Sequence, residues 1–356
     1  MDKTHNKKHT KRLKKALKKY EVDSSEKLKP PEIAWGMFDK TQTKFSILGT
    51  LSNFGLVTGK AKSRKSFFIN IVTSVASSND KLLSQYQSRL PKGKRGVLYF
   101  DTEQSRYHVQ AALKRVCKQI GVPNPKNLKV YGLRSLNPEA RLKLIEFAIY
   151  NNPKVGFVVI DGIKDLIKSI NSEEEATEIA SKLLKWTEEC NIHIVCVLHQ
   201  NKGDSNARGH LGSELSHKAE TVLSVTRDSQ NKDISIVEPV MCRNQEPDDF
   251  AFEIIDGLPV AIEDYEFRVK KKPIKGGLLS IPDFEKFQML NEVYSKKDEY
   301  LLTDLSNTLQ EVIKTRKPDM ASGNNAMRGF IKYLKTKEWL IQEAPRAPYK
   351  LGVYKK

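Results

Sequence analysis

The chain reads as an α/β protein: a mostly parallel sheet with helices on both faces, followed by a smaller α+β module. Three observations predict this. Short, nearly unbroken apolar runs alternate with helical patterns between residues 54 and 198. Such runs mark strands buried on both faces, the habit of parallel sheets. At 356 residues the chain is also long for one domain, since domains commonly hold about 100–200 residues. Finally, a basic Gly/Pro-containing segment at 265–280 separates this pattern from a run of helices.

Residues 1–44 are a basic N-terminal tail and lead-in. Residues 1–20 lack an apolar stripe, which predicts a solvated tail. A like-charge run of this kind is also able to tether a nucleic-acid backbone. Residues 45–264 form the core. Strands are predicted at 54–58, 96–100, 128–131, 157–160 and 192–198, with helices at 65–78, 106–120, 138–150 and 173–189. Gly121 and Pro123 end the second helix. Segments 220–226, 234–240 and 251–255 read as antiparallel strands extending the edge of the sheet. Pro239 suits an edge, because it has no N–H for a central ladder. After the linker, residues 281–356 carry helices near 282–296, 301–315 and 324–337. Trp339-Leu340-Ile341 and residues 349–354 then make a hairpin, so a winged-helix-like module is expected.

Hydrophobic residues make up 39% of the chain, enough for a core and too many for disorder. The net charge of +18 and pI near 9.5 attract a polyanion, of which nucleic acid is the commonest. A merely lysine-rich surface is the plainer alternative. Lysine outnumbers arginine in the tail, which suits phosphate contact better than base reading. No apolar run reaches about 18 residues, so no membrane span is expected, and the first 20 residues lack the apolar region of a secretory signal. Cys117, Cys190, Cys196 and Cys242 have no metal-like spacing. They read as small buried hydrophobes of a protein kept in a reducing cytoplasm.

Gly59-Lys60-Ala61-Lys62-Ser63-Arg64-Lys65-Ser66 follows a strand and opens a helix. It matches the phosphate loop G-x-x-x-x-G-K-[ST] except that Arg64 replaces the second glycine. Inward amides and the helix N-terminus suit phosphate oxygens. Lys65 suits the β- and γ-phosphates of ATP, and the Ser66 hydroxyl suits Mg²⁺. If position 64 requires positive φ, arginine there costs roughly 1 kcal/mol.

Three later strands end in polar residues, at the end where open α/β sheets place their chemistry. The strand at 96–100 leads into Asp101-Thr102-Glu103. Glu103 is a candidate base for the water that attacks the γ-phosphate, or else part of a helix cap formed with Asp101 or Thr102. The strand at 157–160 ends in Asp161, a candidate to support Mg²⁺ opposite Ser66. Asp165 reads as solvated. The strand at 192–198 ends in His199-Gln200-Asn201-Lys202. Either His199 or Gln200 is a candidate γ-phosphate sensor, with a hydrogen-bonded structural histidine as the alternative.

These strand ends, in this order, resemble the RecA-like P-loop ATPase core. The residues that carry the resemblance are GKAKSRKS (59–66), VLYFDTEQS (97–105), FVVIDGIKDL (157–166), VCVLHQNK (195–202) and GSELSHKAETVLSV (212–225). The nearer likeness is to hexameric replicative helicases of the DnaB and RepA type and to AAA-family ATPases of bacterial mobile elements. It implies that Lys65 and Ser66 hold nucleotide and Mg²⁺, that Glu103 is the catalytic base and that Asp161 supports the metal. It also implies that residues 203–211 form a mobile central loop, with Lys202, Arg208 and His210 touching single-stranded DNA in a ring channel. An ordinary polar loop is the alternative. Arg243 matches an arginine finger offered to a neighbouring subunit, which requires an oligomer such as a hexameric ring; a surface ion pair is the alternative. Met241 stands where the helicases often carry a second cation, and the N-terminal collar domain of DnaB has no counterpart. The expected activity is an ATP-driven motor on DNA, serving replication or mobilisation of an element. A DNA-binding ATPase switch without unwinding is the alternative.

Overall fold

The computed structural model describes residues 3–78, 80–201, 206–267, 277–318, 320 and 323–354, with side chains from residue 10 onward. The chain divides into two compact units, residues 1–265 and 266–356.

The first unit opens with α1 (Lys3–Tyr20), β1 (Ile33–Phe38), β2 (Phe45–Thr50) and β3 (Phe54–Gly59). It continues through α2 (Lys65–Ser78), β4 (Lys81–Leu82), β5 (Tyr86–Ser88), β6 (Gly96–Asp101) and α3 (Arg106–Ile120). Next come β7 (Leu128–Gly132), α4 (Pro138–Tyr150), β8 (Val155–Asp161), α5 (Glu173–Cys190), β9 (His193–His199) and α6 (Gly209–Lys218). Strands β10 (Thr221–Arg227), β11 (Ile234–Cys242), β12 (Phe250–Ile255) and β13 (Leu258–Ala261) close it.

Nine of these strands form one sheet in the order β13-β12-β11-β10-β3-β9-β8-β6-β7. From β10 to β7 every pairing is parallel, whereas β11, β12 and β13 add on antiparallel. The apolar runs are explained by two-sided burial. Alternate residues of each strand feed two cores, Val57, Val159 and Val197 on one face and Leu56, Ile160 and Leu198 on the other. The strand that leads into the phosphate loop lies between β10 and β9, so one strand separates it from β8. That order is the RecA-like arrangement, and it brings the ends of β3, β6, β8 and β9 to one edge.

Four expectations change. Residues 3–20 form a helix rather than an irregular tail; lysine, leucine and alanine are good helix formers, and Leu13 and Leu17 remain exposed. The boundary expected at residue 44 moves back, because β1 belongs to a second sheet, β2-β1-β5-β4. Trp35 on β1 is buried, donates to His193 Nε2 at 3.2 Å and meets Phe157 edge-on. Residues 209–211, expected in a loop, are the first turn of α6. Pro239 lies on β11, an interior strand, but β12 pairs only with residues 234–237. Its missing N–H therefore faces no partner strand on that side. The linker residues 268–276 lie outside the described residues.

The second unit runs α7 (Asp283–Tyr294), β14 (Glu299–Tyr300), α8 (Leu302–Arg316), α9 (Asn324–Thr336), β15 (Leu340–Gln342) and β16 (Tyr349–Leu351). Its sheet is antiparallel in the order β14-β16-β15. Met289, Leu305, Leu309, Phe330 and Trp339 fill its own core. Its elements run helix, strand, two helices and a hairpin.

The His193 ring is wedged between Trp35 and the Thr50 carbonyl, to which Nδ1–H donates at 3.0 Å. A Cβ on Gly49 would overlap that ring. Gly49→Ala should therefore destabilise the first unit by roughly 1–3 kcal/mol, read as a lower urea midpoint at an unchanged m-value.

Candidate active site

Strand β3 ends on Gly59, and α2 starts at Lys65. A Cβ on Gly59 would strike the Val225 carbonyl and the Ser63 hydroxyl, so the loop closes only on glycine. Lys65 is buried. Its ammonium donates to the carbonyls of Gly59 at 2.9 Å and Lys60 at 2.8 Å and to His199 Nδ1 at 3.1 Å. Burial pulls its pKa down to about 8, against the opposing pull of Asp161 and Glu103. A cleft of about 330 Å³ opens here, lined among others by Ser63, Lys65, Ser66, Glu103, Asp161 and His199.

Arg64 sits at φ 70°, and Lys62 at φ 62°. The left-handed conformation that a second glycine would adopt easily is thus imposed on arginine. The guanidinium is anchored to the Asp233 carbonyl, and to its carboxylate at 3.3 Å, in the turn joining β10 and β11.

Asp161 closes the opposite wall. Tyr99 donates to its Oδ2 at 2.9 Å. Burial, then the nearby Asp101, raises its pKa to about 7. Asp101 itself is fully buried and accepts from the N–H groups of Glu103 and Gln104, so it is structural. Thr102 donates within reach of the Asp161 and Gly162 carbonyls and of Asp165 Oδ2. Asp165 is therefore engaged, not simply solvated. Helix α3 begins only at Arg106, behind an N-cap at Ser105. Glu103 is thus not in the first turn of that helix, and its side chain faces His199 Nε2 at 3.7 Å. His199 holds the Glu103 carboxyl below its usual range, against the opposing loss of solvent. Because Nδ1 accepts from the Lys65 ammonium, the imidazole proton belongs on Nε2, toward Glu103. Lys65, His199 and Glu103 form a continuous row across the cleft.

Other predicted residues lie elsewhere. Gln200 is buried and bonded to Ser224 at 3.0 Å; it does not line the cleft, so of the two sensor candidates His199 is the one brought there. Arg208 caps α6 and is exposed, while its N–H donates to the His199 carbonyl. His210 stands 3.6 Å from Glu173. Lys202 lies outside the described residues. Arg243 follows β11 at the opposite end of the sheet. Its N–H bonds Glu220 and its guanidinium bonds Asn53 at 3.1 Å. Five residues of β3 separate that level from Gly59, roughly 16 Å at about 3.3 Å per residue. The sequence reading missed Tyr99 and weighed Thr102 only as a helix cap. The one available signal was a hydroxyl-bearing tyrosine in an otherwise apolar strand, two residues before Asp101.

A profile of the AAA domain family matches residues 23–205, half of the chain and the whole span from β1 to His199. The chain belongs to the AAA domain family. Among solved structures it is similar to a KaiC-like protein from the hyperthermophilic archaeon Pyrococcus horikoshii, with 16% identity, 60% of this chain and 90% of that one covered, and a TM-score of 0.44. No curated protein matches it. The AAA domain here carries its phosphate loop between β3 and α2 of a mostly parallel sheet.

The AAA domain's cleft suits a nucleotide with its magnesium. Ser63 Oγ is buried in the loop with no hydrogen-bond partner among the described residues, a donor suited to a phosphate oxygen. No group of three or more His, Cys, Asp or Glu among the described residues could hold a metal by itself. Mg²⁺ makes no such demand, since it binds through one or two protein oxygens together with phosphates and water. The Ser66 hydroxyl and Asp161 are two such oxygens in the cleft lining.

Replacing Arg64 by glycine relieves the left-handed strain and loses an exposed bond to the Asp233 carbonyl and an ion pair to its exposed carboxylate. Arg64→Gly should stabilise the first unit by up to about 1 kcal/mol in urea denaturation. Asp161 keeps its proton in the folded state between its ordinary value of 3.8 and about 7, while the unfolded chain has lost it. In chelator, stability should accordingly fall as pH rises through that window. Asp161→Asn should flatten this slope; an unchanged slope would refute the assignment.

Proposed function

We propose that this AAA-domain protein is an ATP-dependent motor on DNA, a ring of like subunits in the manner of RepA- and DnaB-type helicases. The observation that carries the reading is the division of the site between the two ends of the sheet. Lys65, Ser66, Glu103, Asp161 and His199 surround one cleft, while Arg243 projects from the far end of the same sheet. A guanidinium roughly 16 Å away along the strand cannot reach its own cleft. It serves catalysis only if a second copy brings it to a neighbour's nucleotide.

In this reading the loop amides and Lys65 hold the phosphates of ATP, and Ser66 with Asp161 holds Mg²⁺, whose charge neutralises phosphate oxygens. Glu103 accepts the proton of the attacking water, and its lowered pKa keeps it ionised for that task. His199, bonded to Lys65 and facing Glu103, reports the occupant of the cleft to the segment that leads to Arg208, His210 and Lys202. The exposed Arg208 there suits the backbone of single-stranded DNA. The net charge of +18 supports a polyanionic partner. No described helix is long and apolar enough to cross a membrane, and all four cysteines are unpaired; both suit work in the cytoplasm.

Lys65→Ala and Arg243→Ala should each lose turnover, the second by roughly 10³-fold while still binding ATP. Mixing the two should restore part of it, because some interfaces then join an intact cleft to an intact finger. Mixtures as inactive as the single variants would defeat the shared-site reading. DNA-stimulated hydrolysis without strand displacement would leave a switch rather than a helicase.

A further inference from the structure

The end of the large sheet opposite the ATPase cleft carries a second concavity, of about 480 Å³. Three loops build it, and each enters one of three neighbouring parallel strands. The loop into β6 brings Lys92 and Arg95, the loop into β7 brings Lys126, and the loop into β8 brings Lys154; Lys129 stands on β7 itself. All five cations are exposed. Neighbouring strands lie about 4.8 Å apart, so the topology gathers these charges on one rim. The strand entries are stitched together: the Gly96 N–H donates to the Lys154 carbonyl at 2.9 Å, and the Val97 N–H to the Asn127 carbonyl at 2.7 Å. A Cβ on Gly156 would strike the Lys94 carbonyl, so the turn at 92–94 packs directly on the start of β8.

Among the described residues, no aspartate or glutamate lines this concavity. Elsewhere in the unit cations meet carboxylates, as Arg64 meets Asp233, Lys143 meets Glu139 and Lys218 meets Glu214. Lys92, Lys126 and Lys154 make no ion pair or side-chain hydrogen bond among the described residues. Arg95 and Lys129 bond neutral acceptors, the Leu90 carbonyl and Asn152 Oδ1, so their charges are not neutralised either. Clustered like charges repel, and no described residue of the lining offsets that repulsion. An anion would. Beneath the cationic rim the wall is apolar, formed by Val97, Leu98, Pro153 and Val155.

We propose that this concavity binds a nucleoside oligophosphate, a second nucleotide besides the one in the ATPase cleft. Its ring system lies against the apolar wall, and its phosphate chain lies among Lys92, Lys126 and Lys154. A concave, mostly apolar wall with a few charged groups is the usual form of a small-ligand site. The backbone of a polymer needs neither the depth nor the apolar wall. Strand β8 runs seven residues from Val155 at this end to Asp161 at the other, roughly 20 Å at about 3.3 Å per residue. One nucleotide therefore cannot occupy both sites, and the second site stands whether or not the first unit forms rings.

The test uses the full chain with Lys65→Ala to weaken the cleft, radiolabelled ATP as the probe, and equilibrium dialysis in chelator. That protein should still bind ATP. Adding Lys126→Ala/Lys154→Ala should weaken the remaining binding roughly 10-fold. Adding Lys143→Ala/Lys182→Ala instead, which removes the same charge from ion-paired positions, should leave it unchanged. In the otherwise wild-type chain, Lys126→Ala/Lys154→Ala should not alter basal ATP turnover. Inorganic tripolyphosphate, which has no ring to bury, should displace the probe roughly 10-fold more weakly than unlabelled ATP. Absence of binding in the Lys65→Ala protein overturns the proposal, as does binding that Lys126→Ala/Lys154→Ala does not weaken. Tripolyphosphate that competes as well as ATP overturns the nucleoside assignment. A single-stranded oligonucleotide that displaces the probe at lower concentration than ATP assigns the surface to nucleic acid and overturns it too.

Discussion

The Lys65 ammonium is the point through which the first unit's chemistry is tied together. Three acceptors hold it, two from the loop that precedes it and one from the end of β9. The loop is thereby closed on itself and joined to a strand 134 residues further on. A buried cation of this kind would be costly if left unpaired. Here carbonyl dipoles and an imidazole satisfy it, and the opposing carboxylates of Asp161 and Glu103 offset part of the burial. The groups that hold it are ones a phosphate chain can displace.

Strain in the loop is met by the same logic. Left-handed arginine is unfavourable, but Arg64 finds partners on Asp233 across the turn between β10 and β11. The loop is thus fastened to the antiparallel extension of the sheet. At the other end of that extension, Glu220 accepts from Thr50 and Asn244, and Asn53 accepts from Arg243. The strand that runs away from the cleft therefore starts beside the loop and ends beside the guanidinium proposed to serve a neighbour.

Much of this was legible in the sequence because the signals are local. Strand-loop-helix geometry with a lysine and a serine at fixed offsets identifies the phosphate loop, and four apolar residues followed by aspartate identify Asp161. The helix ends at Ile120 and Tyr150 fall where glycine, asparagine and proline interrupt the pattern. What escaped was non-local or weakly patterned. Strand β1 hides in a proline-containing lead-in, because its burial depends on His193 and Phe157 far along the chain. Helix α6 lacks a long apolar period, and α1 is helical by intrinsic preference alone.

The sequence by itself determined the parallel α/β core, its RecA-like order of polar strand ends and the residue types facing the cleft. These follow from local periodicity and from the fixed rule that parallel strands deliver their C-terminal ends to one edge. Only the tertiary structure decided that His199 rather than Gln200 turns toward Lys65, that Arg64 is strained and anchored, and that Arg243 stands a strand length from its own cleft. Side-chain direction at a strand end depends on which neighbouring strand it packs against. That pairing joins residues more than a hundred positions apart, a distance across which no pattern in the chain reaches.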